Sequence, residues 1–204
     1  MPDFSLSPSE SAVVFIEYQN EFTTEGGKLF GATKEVMEKT SMRENSTKLL
    51  EFCREKKILV LHAPISFEPG HNEIASEPYG ILAGIKEGSA FEAGSDGAGM
   101  YEPMKPIGGE LVVKGKSGLC SFTSTNLEFL LRQHNIKNVV LAGFLTNCCV
   151  ESTMRTAYEK GFKVYTLKDC TAATSLAAHE AAFEHNFGMF SVPTTSEDIM
   201  AATA

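Results

Sequence analysis

The sequence predicts an α/β fold, a mostly parallel sheet of about six strands covered by helices on both faces. Short apolar runs recur along the chain, and segments of helical period separate them, the alternation that builds parallel sheets. A third observation is Val139-Val140-Leu141-Ala142-Gly143, where an apolar run breaks at a glycine and turns into a helix that begins with two adjacent cysteines.

Taken in order, strands are expected at 12–16, 58–61, 111–113, 139–141 and 163–167, with a weaker sixth at 187–192. Ser41-Met42-Arg43-Glu44 fits a capping box opening a helix with Leu49, Leu50 and Cys53 on one face. Thr125-Asn126-Leu127-Glu128 repeats the signal ahead of Leu127, Leu130, Leu131 and His134. Val150, Met154, Ala157 and Tyr158 supply the inner face of a helix that Gly161 ends, and 176–186 reads as another. The segment 64–109 is rich in Gly, Pro and Ser and weakly periodic. Connections that long serve as lids, binding segments or subunit contacts, and the sequence does not choose among them.

The 204 residues, 43% hydrophobic and 22% charged, are expected to form a single globular domain over 1–204. A net charge of −8 argues against nucleic acid and anionic membrane as partners. The first residues lack a basic region followed by an apolar core, and no segment reaches membrane-span length. Five cysteines without framework spacing fit a reducing compartment, so the expected location is the cytoplasm.

Ligands of open parallel sheets bind beyond the carboxyl ends of the strands. The first strand stops at Glu17, the second runs into His62, the third stops at Lys114 and the fourth reaches the cysteine turn. An acid, a base and a thiol are therefore expected at one edge. A helix N-terminus favours negative charge and draws a thiol towards thiolate. Cys53 reads as core packing, Cys170 as a small buried residue and Asp169 as ordering a turn. His134, His179 and His185 read as structural or surface residues.

These landmarks resemble the isochorismatase-like cysteine hydrolases. Gly143, Thr146, Cys149 and Val150 resemble that family's cysteine signature with one spacer fewer, which puts the nucleophile at Cys149 rather than Cys148. Glu17-Tyr18-Gln19-Asn20-Glu21-Phe22 is similar to its first motif, and Lys114, ahead of Ser117-Gly118-Leu119-Cys120-Ser121-Phe122, is similar to its catalytic lysine. The resemblance implies a three-layer sandwich with Rossmann-like strand order. It also implies a Glu17–Lys114–Cys149 triad that hydrolyses an amide, carbamoyl or ureido C–N bond of a small molecule through a thioester. Backbone N–H groups of Leu145 and Cys149 would form the oxyanion hole, the first aimed by a cis peptide between Phe144 and Leu145. Phe22, His62, Cys120 and Phe144 would contact substrate, and family members commonly form homodimers or homotetramers.

At one point the chain departs from the pattern. The family's acid is usually aspartate, and a carboxylate displaced by about an ångström can cost on the order of a hundredfold in rate. With Gln19, Asn20 and Phe22 in pattern, the expectation is a pocket rebuilt around Glu17. The alternatives are a weakened member that binds a small molecule or a protein, a nicotinamidase or isochorismatase proper, and a thiol redox protein using Cys148 and Cys149. Nicotinamidases resemble Asp-x-His plus a later His, whereas this chain has only His62 and His71 there. That set lacks a carboxylate, so neither metal nor other cofactor is expected.

Overall fold

The computed structural model describes residues 2–203. Six strands, β1 (Ser11–Ile16), β2 (Leu59–Ala63), β3 (Leu111–Val112), β4 (Asn138–Phe144), β5 (Lys163–Ala172) and β6 (Val192–Thr194), form one sheet in the order β3-β2-β1-β4-β5-β6. Every pairing is parallel. The order reverses between β1 and β4, where an α/β sheet opens a crevice for ligands.

Among the described residues there are eight α-helices: α1 (Asn20–Thr23), α2 (Phe30–Lys39), α3 (Met42–Lys56), α4 (Ile81–Glu87), α5 (Leu127–Gln133), α6 (Glu151–Glu159), α7 (Leu176–Ala181) and α8 (Ser196–Ala202). All six β1 residues are buried. Val13 and Phe15 enter the core layer that holds Leu49, Leu50 and Cys53 of α3, with Ile199 of α8. Ala12, Val14 and Ile16 enter the opposite layer, with Leu127 and Leu131 of α5 and Met154 and Ala157 of α6. A continuous apolar run is what two covered faces require.

Several expectations need correction. Ser41 caps nothing with its side chain. Only Thr40 and Ser41 reverse the chain between α2 and α3, which forces Ser41 to a left-handed φ of 52°. At α5 the Thr125 hydroxyl accepts the Leu127 N–H at 3.1 Å, while Asn126, at the cap position, turns its Oδ1 to the Lys114 N–H. Tyr158 lies outside the core at 53% exposure. The sixth strand lies at Val192–Thr194, beyond the expected 187–192, because Phe190 and Ser191 both donate to Phe187 O and curl that stretch into a turn. Pro193 suits the edge position of the remaining β6. Helices α2, α4 and α8 carry no strong sequence signal and emerge only in the structure.

Candidate active site

β1 delivers Glu17 to the carboxyl edge of the sheet. Its N–H donates to Ala63 O at 3.1 Å, and its carbonyl accepts the Gln19 N–H at 2.7 Å. Glu17 has a φ of +57°, a conformation that costs on the order of 1–3 kcal/mol for a non-glycine residue and is held there by its surroundings. Gln19 supplies much of that hold. Its Nε2 donates to Ile65 O and Ala98 O, and its Oε1 accepts the Ile65 N–H, each at 2.9 Å. Glu21, buried beside it, accepts the Lys28 N–H at 2.7 Å and the Phe91 N–H at 3.3 Å. The Glu17-to-Phe22 stretch therefore fastens segment 64–109 over the sheet edge.

β4 ends beside Glu17 because Ile16 pairs with Gly143. Gly143 has a φ of +127°, and a Cβ there would meet Ile16 O at 2.0 Å, so the close approach of β4 to β1 needs glycine. The Phe144–Leu145 peptide is cis. A single π-helical turn, Thr146–Val150, then leads into α6 and carries Cys149. The Cys148 and Val150 amides both donate to Leu145 O, at 3.0 and 3.2 Å. The Leu145 amide meets no backbone acceptor among the described residues.

The lysine at this edge is Lys116, not Lys114. Val113 donates to His62 O and extends the line of β3, and the next residue, Lys114, is exposed with its N–H held by Asn126 Oδ1 at 2.8 Å. Gly115, at a φ of +85° and too close to Ser124 O for any side chain, then turns the chain inward. Lys116 is buried, with its Nζ on Glu17 Oε1 and, at 2.8 Å, on Gly118 O. A glycine directly before a lysine, past the strand end, was the available signal.

Glu17, Phe22, Leu145 and Cys149 line one cavity of about 300 Å³. Three other expected contacts lie elsewhere. The Phe144 ring is fully buried beneath Phe22, stacked at 4.8 Å and 4°. His62 sits one residue short of the end of β2, under Phe15, with Nε2 at 2.9 Å from Glu110 Oε2. Arg54 also clamps that carboxylate, through Nε at 2.7 Å and Nη2 at 3.1 Å, so His62 belongs to a structural hydrogen-bond network around Glu110. Cys120 turns away to donate to Thr156 Oγ1 at 3.3 Å, and Leu119 takes its place on the wall. Sequence reading also missed Ile81, Leu82 and Ile85 of α4, whose spacing puts three apolar side chains on one face, and Ile65 and Phe91 beside them. Segment 64–109 thus supplies a wall of the cavity.

His71 is taken up within segment 64–109. Its Nε2 lies 2.7 Å from Ala90 O and its ring stacks on Phe67. Among the described residues no group of three or more His, Cys, Asp or Glu could hold a metal ion. The five cysteines are free thiols.

The electrostatics of the edge are those of a protonated thiol beside an ion pair. Contact with the Cys148 thiol, burial and the Glu17 carboxylate push the Cys149 thiol well above the ordinary range, with Lys116 opposing them. Burial works against the Lys116 charge, but Glu17 and then Cys149 outweigh it, and its ammonium is held above its usual value. Cys149 thus needs a base to become a nucleophile, and Glu17 is on the same cavity wall.

Beneath the cysteine turn, Thr146 Oγ1 and His179 Nδ1 lie 2.9 Å apart, both buried. Burial first, then the Lys168 cation, lowers His179 to about 4. The unfolded chain takes this proton near the ordinary value of about 6.5. His179 therefore adds stability above pH ~6.5, and this is lost as pH falls through that value towards 4. The urea midpoint should drop between pH 7.5 and pH 5, and His179→Gln should flatten that slope. An unchanged slope in the variant would remove His179 as its source.

The family model described as Isochorismatase domain matches residues 11–198. The chain belongs to the isochorismatase family. Among its relatives, the ureidoacrylate amidohydrolase RutB of Rhizobium rhizogenes is 28% identical over 178 residues, covering 82% of this chain and 72% of that one. The maleamate amidohydrolase of Pseudomonas putida is 26% identical over 175 residues, covering 83% and 76%. The crystal structure of a cysteine hydrolase from Pseudomonas syringae pv. phaseolicola matches with a TM-score of 0.85 at 19% identity, over 99% of this chain and 97% of that one, and shares the fold. Among the described residues no helix is long and apolar enough to cross a membrane.

Proposed function

We propose that this isochorismatase-family protein is a cysteine amidohydrolase that cleaves a small-molecule C–N bond through a thioester, with Glu17, Lys116 and Cys149 as its catalytic residues. The observation that carries the reading is the meeting of Glu17 and Cys149 on one cavity wall, with Lys116 buried against the acid. The amidohydrolase names of the relatives support the reaction class.

In this mechanism Glu17 takes the thiol proton as Cys149 Sγ bonds to the substrate carbonyl carbon. Lys116 holds the carboxylate in place and offsets negative charge as the thiolate forms. The oxyanion is received by the amides of Leu145 and Cys149, and one such donor contributes about 3–4 kcal/mol to the transition state. The C–N bond then breaks as Glu17 returns the proton to the leaving nitrogen. Water attacks the thioester, gives its proton to Glu17, and the freed thiolate regains that proton to close the cycle.

The test is ammonia release from a panel of primary amides and ureides. Cys149→Ala should abolish turnover and Cys148→Ala should leave most of it. Glu17→Asp should be slower, because the shorter carboxylate no longer spans from Lys116 to Cys149. A faster Glu17→Asp enzyme would favour the weakened-enzyme reading, and activity surviving in Cys149→Ala would end the thioester mechanism.

A further inference from the structure

The cavity wall carries almost no charge. Of the residues that line it, only Glu17 and Cys149 can ionise. Most of the rest of its inner surface is hydrocarbon, chiefly Phe22, Phe91, Ile65, Ile85, Leu82 and Leu29, with Thr174 as an uncharged polar residue among the lining. Thr33 also reaches the wall, but its hydroxyl lies within bonding distance of the carbonyls of Phe22, Leu29 and Phe30.

Lys116 and the lysines that neighbour wall residues in the sequence have partners of their own; Lys34, next to Thr33, lies 3.8 Å from Glu38 Oε1. Lys116 is bound by Glu17 and Gly118 O. Lys28, next to Leu29, donates to Ser89 O at 2.6 Å. Lys86, next to Ile85, donates to Ile74 O and Ala75 O at 3.2 and 3.0 Å. A substrate carboxylate in this cavity would lose its water, find no counter-ion and lie near the Glu17 charge. Burying an unpaired carboxylate costs several kcal/mol, whereas a hydrocarbon group gains about 25 cal/mol for each Å² removed from water.

We infer that the site accepts uncharged amides bearing a branched aliphatic or aromatic group and discriminates against amides that carry a carboxylate. The inference rests on the amidohydrolase reading for its reacting bond but on the cavity wall for its selectivity. Those two parts can fail separately, so binding and turnover need separate measurements.

The probes are 4-methylpentanamide, neutral and branched, and succinamate, of similar length but anionic. Wild-type ammonia release should favour the neutral amide on the order of a hundredfold in kcat/KM, the effect of a buried unpaired charge. Calorimetric titration of Cys149→Ala should show the same preference in binding without turnover. Ile81→Arg places a cation at the mouth, at a side chain already 41% exposed, and should narrow the preference by raising the succinamate rate. Succinamate processed or bound as well as the neutral amide would overturn the inference, as would a Cys149→Ala protein that binds neither probe. Neutral-only binding by Cys149→Ala, with a wild type that hydrolyses neither probe, would support the selectivity and overturn the hydrolase reading instead.

Discussion

Lys116→Met should lower kcat by about 10²–10⁴-fold, the usual contribution of an acid–base group, here Glu17, which Lys116 holds in place, while Lys114→Met stays close to wild type. Methionine keeps most of the length of the lysine side chain but removes the only cation bonded to Glu17 among the described residues, and Glu17 is itself 2% exposed. Breaking a buried pair in this way costs about 3–5 kcal/mol, because the remaining charge is left uncompensated. Lys114 is solvent-exposed, and the bond it makes here uses its backbone N–H, so its side chain can change within roughly 0.5 kcal/mol. Melting curves separate folding from chemistry. Lys116→Met should lose activity even at temperatures where it is fully folded, and Lys116→Arg should recover stability better than rate, since a planar guanidinium does not reproduce a compact ammonium. Full activity in Lys116→Met with loss in Lys114→Met would reverse the assignment.

Gly143→Ala should be the most damaging single-methyl change in the chain, costing more than about 4 kcal/mol or preventing folding outright. The added carbon would stand 2.0 Å from Ile16 O, and a backbone oxygen of a buried strand cannot move aside as a side chain could. The position also has a φ of +127°, outside the range of L side chains. Gly161→Ala is the control. It too has a positive φ, +80°, but nothing lies within 4 Å of its Cβ position, so only the left-handed conformation counts against it, about 1–2 kcal/mol. Urea denaturation of the two variants, or recovery of soluble protein, should rank them in that order. A Gly143→Ala protein as stable as Gly161→Ala would show that the β1–β4 spacing relaxes more freely than the packing implies.

The sheet was legible because burial on both faces leaves a local mark. The runs Ala12 to Ile16 and Val139 to Ala142 are apolar without alternation, and such runs separated by helical periods admit few other folds. Glu17 and the cysteine turn were legible for the same reason, since polar residues after buried strands fall at the ligand-binding edge, while the choice of Cys149 over Cys148 came from the family resemblance. His62 follows the same rule and misled, because β2 runs one residue further to Ala63 and the ring is claimed by Glu110, 48 positions along the chain. A partner that distant leaves no local trace.

Lys114 and Lys116 differ by two positions, and the sequence alone favoured the one that directly follows the strand. Gly115 decided otherwise, through a turn whose direction depends on its contact with Ser124. Segment 64–109 shows the same division: its composition announced a long irregular stretch, but Gln19 and Glu21 determine where it lies. What the sequence determined by itself was the strand pattern, Glu17 directly after β1 and the cysteine turn that follows β4, because burial and chain direction act over a few residues. What only the tertiary structure decided was which lysine meets Glu17, which side chains wall the cavity and which histidines are structural, because each depends on hydrogen bonds and contacts between segments far apart in the chain.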